Sequence, residues 1–137
     1  MYTHIMVPVD LAHADRLPRA LETAALLGRA AQAKVTYVGV TAETPTGLGH
    51  NPDEYADRLA QFAQEQGEQH GITTAARAYA SHDPAIDLND TLLKAADDLE
   101  ADCIVIASHI PNVADHLWPS HGGAVARRAK ASVFVVR

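Results

Sequence analysis

Residues Cys103–Ala107 read Cys-Ile-Val-Ile-Ala, flanked by Asp102 on one side and Ser108-His109 on the other. So short and uniformly apolar a run, with β-branched residues at its centre, reads as a buried strand. Upstream, Asp83-Pro84 is a cap-plus-proline helix start, and Leu88, Leu92, Ala95 and Leu99 recur at i, i+4, i+7 and i+11. Downstream, Gly123–Lys130 reads as a short helix and Ser132–Val136 as a last strand. The same alternation runs back to the N-terminus. Thr3–Val9 is a buried strand that ends at Asp10; Asp15 is the expected cap of the next helix, with Pro18 in its first turn. Leu17, Leu21, Ala24 and Ala31, broadened by Leu27, form that helix's apolar face. Lys34–Val40 is a second β-branched strand. Asn51-Pro52-Asp53-Glu54 opens a helix striped by Tyr55, Leu59, Phe62 and Ala63, and His70-Gly71 closes it. Thr73–Ala80 is a weaker third strand. Strands and helices in strict alternation predict an α/β fold: an open, five-stranded parallel sheet with helices on both faces.

Composition fits that architecture and excludes others. The chain has 137 residues, the length of one domain spanning 1–137. It holds 26 Ala and only seven aromatic residues, so its core relies on small and β-branched side chains. A net charge of −6 with few aromatics argues against nucleic-acid binding, which needs a basic surface. One Cys leaves no internal disulfide and fits a reducing compartment. No apolar run reaches the roughly 18–20 residues that cross a bilayer, and the first residues lack the pattern of a signal peptide. The expectation is a cytoplasmic protein with no membrane insertion.

Open parallel sheets bind ligands beyond the carboxyl ends of their strands, where strand order reverses. Three such places are chemically suggestive: Pro8-Val9-Asp10, Ala107-Ser108-His109, and Ser120-His121-Gly122-Gly123 at the start of the last helix. A helix start offers free N–H groups and a positive dipole end to an anion, and a Ser there can add its hydroxyl. Ser is equally a preferred N-cap. Asp10 could accept from a ribose or adenine donor, or could order the turn that follows it. The 41–51 and 108–119 stretches are the longest irregular ones, and loops of that length are often functional.

The opening Tyr2-Thr3-His4-Ile5-Met6-Val7-Pro8-Val9-Asp10 resembles the start of universal stress protein domains. The 101–108 and 131–137 stretches resemble their C-terminal half, so the likeness spans essentially the whole chain. The resemblance implies a Rossmann-like sheet of order 3-2-1-4-5 and a homodimer formed through the last strand, Val133, Phe134, Val135 and Val136. It also implies ATP binding, with Mg²⁺ accompanying the nucleotide. Pro8, Val9 and Asp10 map to the adenine–ribose floor, and Val40 to the position whose backbone faces adenine. ATP-binding members carry Gly-x2-Gly-x9-Gly-Ser/Thr after the fourth strand. Here Ala107, Ile110 and Pro119 replace the three glycines, Ser120 is retained, and the spacer is one residue shorter. Ile110 does not readily take positive φ, and Pro119 has no N–H to donate. The expected nucleotide set is Pro8, Val9, Asp10, Val40, Ala107, Ser108, His109, Ile110, Ser120, His121 and Gly122.

Other constellations are less pointed. His109, His116 and His121 match no common zinc spacing and have no Cys partner, so no metal site is expected. Cys103 reads as a small buried hydrophobe. Arg127, Arg128 and Lys130 complement a helix C-terminus, and Trp118 could cover a ligand or a partner. No Gly-x-Ser-x-Gly elbow and no Walker Gly-Lys-Ser/Thr is present, so enzymatic activity beyond slow ATP hydrolysis is not expected. Two readings stand: a dimeric nucleotide-binding regulator, and a nucleotide-free dimeric interaction protein with a regulatory partner, of the kind that accompanies solute transporters.

Overall fold

A computed structural model describes residues 1–43, 52–108 and 121–137. Its strands are β1 (His4–Pro8), β2 (Lys34–Ala42), β3 (Thr74–Ser81), β4 (Cys103–Ala107) and β5 (Ser132–Val136). Its helices are α1 (Pro18–Ala31), α2 (Pro52–His70), α3 (Pro84–Asp98) and α4 (His121–Arg128). All neighbouring strands are parallel, and their order is β3-β2-β1-β4-β5. Pairing puts Val35, Ile5 and Cys103 in one row across the sheet. A Cβ on Gly28 would press on Val35, so α1 covers the face that row presents. Tyr37, two residues on from Val35, meets Phe62 of α2 edge-on at 5.3 Å, which puts α2 on the same face. Ile106, three residues on from Cys103, points the other way. There a Cβ on Gly122 would touch Ile106 and Val135, so α4 covers the opposite face, with α3 beside it.

The core is aliphatic, as the composition anticipates. Ile5, Leu59, Leu88, Leu92, Ile104 and Ile106 are completely buried. Each such side chain contributes roughly 1.5–3 kcal/mol of transfer free energy. Every expected strand and helix is present. The closing turn of α2 depends on Gly71, whose φ of +64° suits a residue without a Cβ. β3 is an edge strand whose side chains are mostly half-buried, which is why its sequence signal is weak.

Three details differ from expectation. Asp15 does not cap α1: the N-cap is Leu17, without a side-chain bond. The chain first makes a 3-10 turn over Leu11–Arg16, and Asp10, already extended at φ −92° and ψ 102°, caps that turn instead. α4 begins at His121 and ends at Arg128, two residues earlier at each end than Gly123–Lys130, because Gly122 already packs on the sheet. Asn51, the expected cap of α2, lies outside the described residues.

Candidate functional site

The carboxyl end of the sheet is shaped by how β1 meets its neighbours. β1 pairs with β2 along its whole length, from His4↔Lys34 to Pro8↔Val38. With β4 it pairs only at Ile5↔Cys103 and Met6↔Ile104. Backbone groups on a strand alternate between neighbours. The Val9 N–H goes to Val38 of β2, while the His4 carbonyl accepts from Asp102 at the start of β4. Even-numbered residues of β1 therefore face β4, and the next donor on that side falls at Pro8, which has none. The β1–β4 pairing stops short of the strand ends. Strand order reverses at this seam, which makes it the topological switch point, the place where open parallel sheets take their ligands.

Asp10 follows β1 at this carboxyl end, as the cap of the 3-10 turn. One carboxylate oxygen accepts the Ala12 N–H at 3.3 Å, and the other lies 2.9 Å from Nδ1 of His13. The carboxylate is 11% exposed and the imidazole 32% exposed. Asp10 thus orders its own turn, and a carboxylate still keeps lone pairs beyond these two contacts. The Asp-x-x-His spacing is the sequence signal for His13.

Tyr55 of α2 supports the same corner. Its ring lies on Gly39 of β2, where a Cβ would come within 3.0 Å of ring atoms, so only glycine fits. Burial, then the nearby Asp10 charge, push the Tyr55 hydroxyl pKa well up, while a hydrogen bond from the Leu11 backbone pulls the other way. Tyr55 is a neutral donor under physiological conditions. Sequence periodicity marked it only as core.

The remaining expected residues divide. Pro8, Val9 and Val40 are buried, and Val9 and Val40 belong to the continuous hydrophobic core. Ala107 and Ser108 are half-buried at the end of β4. The Ser108 N–H is already bonded to the Val136 carbonyl at 2.9 Å, so that backbone donor extends the sheet. Gly122 is buried with Val135 3.1 Å from a would-be Cβ, so a side chain there would have to push Val135 back by a few tenths of an ångström. His109, Ile110 and Ser120 lie outside the described residues, as do His116, Trp118 and Pro119. His121 is placed only as the first residue of α4.

The family model described as the universal stress protein family matches residues 1–137. The chain belongs to the universal stress protein family. It is 27% identical to universal stress protein G of Salmonella typhimurium and to that of Salmonella typhi, in each case over all of both chains. Two solved structures of universal stress proteins are similar in fold. One, in complex with cAMP, has a TM-score of 0.70 at 24% identity and covers 99% of this chain and 97% of its own. The other, from Archaeoglobus fulgidus in complex with dAMP, has a TM-score of 0.69 at 22% identity and covers 99% and 98%. The family's Rossmann-like sheet is thus present in full. Among the described residues, no helix is long and apolar enough to cross a membrane.

Proposed function

We propose that this universal stress protein binds an adenine nucleotide between the carboxyl ends of β1 and β4 and serves the stress response as a cytoplasmic, dimeric regulator. The observation that carries the reading is the β1–β4 seam parted at Pro8, at the one place where this sheet topology offers a ligand crevice. The two related proteins with cAMP and dAMP support an adenine ligand. In this reading Val9 and the Val40 backbone hold the base, and the spare lone pairs of Asp10 take the ribose. The same reading assigns Ala107, Ser108, His109, Ile110, Ser120, His121 and Gly122 to the nucleotide. ATP enters with Mg²⁺. With no nucleophile–base pair among these residues, the protein acts by binding, and any ATP hydrolysis is slow. One domain, 1–137, carries the function.

Dimerisation is proposed through β5. It is an edge strand that offers an unpaired backbone rim, and Phe134 on it is 48% exposed. Val133, Val135 and Val136 complete the strand. Phe134→Glu should turn the dimer into a monomer in analytical ultracentrifugation. Calorimetric titration with ATP, AMP and cAMP tests the binding reading, and no saturable heat at millimolar ligand overturns it.

A second reading is favoured by the loss of backbone donors for phosphate: the Ser108 N–H is spent on Val136, and Pro119, in place of a glycine, has no N–H. It makes the protein a nucleotide-free dimer that regulates a partner, such as a transporter. The same titration separates the two, and so does the ultraviolet absorbance ratio of the purified protein.

A further inference from the structure

A cleft of about 360 Å³ lies between α1 and α2, the two helices that share one face of the sheet. Pro18, Leu21 and Phe62 give it apolar walls, and its size suits a small organic molecule. Gln66 of α2 sets it apart. This residue lines the cleft yet is only 9% exposed, and its Oε1 has no hydrogen-bond partner. Among the described residues one other buried side-chain polar atom is unpartnered, the Tyr37 hydroxyl oxygen, and the Tyr37 ring packs edge-on against Phe62 of the same cleft. Both orphans therefore gather around Phe62, which precedes Gln66 by one helical turn. Buried Thr36 and Ser81, by contrast, are bonded to His4 and Asp87. Folded proteins pair nearly all such atoms, because an unpaired one pays its desolvation cost in full. An orphan acceptor on the wall of a cleft is a place for a donor that arrives with a ligand.

The charges around the cleft indicate which donor. Asp15 and Glu22 line it, and among the described residues neither is ion-paired with a Lys, Arg or His. Asp15 does not cap α1 either. Among the described residues no Lys or Arg lines the cleft, and His70 is its remaining titratable side chain. Carboxylates and an amide oxygen only accept, so they fit a cation that carries N–H groups, and the apolar walls fit a hydrocarbon body. The two carboxylates need not converge on one point. Gln66 fixes the donor, and they set the sign of the potential in the cleft.

We propose that the α1–α2 cleft binds a small organic ammonium ion, with its hydrocarbon body against Pro18, Leu21 and Phe62 and an N–H donated to Gln66 Oε1. The proposal is independent of the nucleotide reading. Its test is an NMR titration of isotope-labelled protein with three probes of similar shape: phenethylammonium, phenethyl alcohol and phenylacetate. Phenethylammonium should give saturable shifts at Leu21, Phe62 and Gln66. The alcohol should bind more weakly, and phenylacetate should not bind. Gln66→Leu keeps the bulk and removes the acceptor. It should lose roughly tenfold in ammonium affinity, because a hydrogen bond to a charged group is worth that much or more. With the orphan gone, it should melt no lower than the wild type. Asp15→Asn/Glu22→Gln changes exposed positions only. It should lose about threefold in ammonium affinity and keep its affinity for the alcohol. This second variant keeps the test decisive if Gln66→Leu does not fold. No saturable shift at the cleft residues with millimolar phenethylammonium overturns the proposal. Phenylacetate binding as tightly as the ammonium overturns it too, because His70 rather than the carboxylates then sets the preference. So does ammonium affinity that is unchanged in either variant.

Discussion

The two ends of the β1–β4 seam are built in opposite ways. At the amino end, Asp102 acts as a clasp. Its carboxylate accepts from the Thr3 N–H at 2.9 Å, the Thr3 hydroxyl at 3.0 Å and the His4 N–H at 3.1 Å. Its backbone N–H also bonds to the His4 carbonyl, and its own carbonyl accepts from Ser132 of β5. One residue therefore ties three strands together. At the carboxyl end, Pro8 withholds a donor and the same two strands part. The polar groups there serve turns: Asp10 caps the chain leaving β1, and His13 leans on it. Polar side chains at the closed end satisfy the sheet. At the open end they order the turn that leaves β1.

The clasp gives the largest expected effect. Asp102→Ala removes three acceptor contacts to strand donors and should cost about 2–3 kcal/mol in urea denaturation, with little change in AMP affinity. Opening the other end to repair comes next. Pro8→Ala supplies the missing N–H toward β4 and should let the ladder extend. Stability should change by about 1 kcal/mol or less, while AMP affinity measured by calorimetry falls several-fold. If the affinity is unchanged, the parted seam is not the site. Asp10→Ala removes the cap of the 3-10 turn and should cost about 1 kcal/mol of stability. It should also weaken adenosine binding if the carboxylate meets the ribose. The smallest effect is on acid stability. Burial raises the Asp102 pKa, but the Thr3 and His4 donors outweigh it and hold the carboxyl below its ordinary value. A depressed folded-state pKa adds stability that is present above the unfolded value, near pH 4, and is lost as pH falls through the folded value. Asp102→Asn should flatten that acid limb in a series of melts.

Much of this architecture is legible in the sequence, because the strongest signals are periodic. Cys103–Ala107 and Lys34–Val40 are continuous apolar runs, and the Leu88, Leu92, Ala95 stripe can only be one helix face. At the open end the residue types are legible but their contacts are not. Pro8 belongs to the family-like start, yet its effect depends on which neighbour an even-numbered residue faces, and only the register shows that. Asp15 and Asp10 are equally good caps in sequence. Which one is used depends on where the chain leaves β1. Ser108 and Gly122 carry sheet and packing duties that no local pattern separates from ligand binding.

Cys103 stands opposite Ile5 in the short stretch where β1 and β4 are joined, and it is 2% exposed. Burial, and then the charge of Asp102, raise the pKa of its thiol. A buried thiol of raised pKa reacts slowly with disulfide reagents. As the chain's lone sulfhydryl, it is a built-in timer: its rate of labelling records how often the central seam comes apart in the native protein, with no added probe and no other cysteine to confuse the trace.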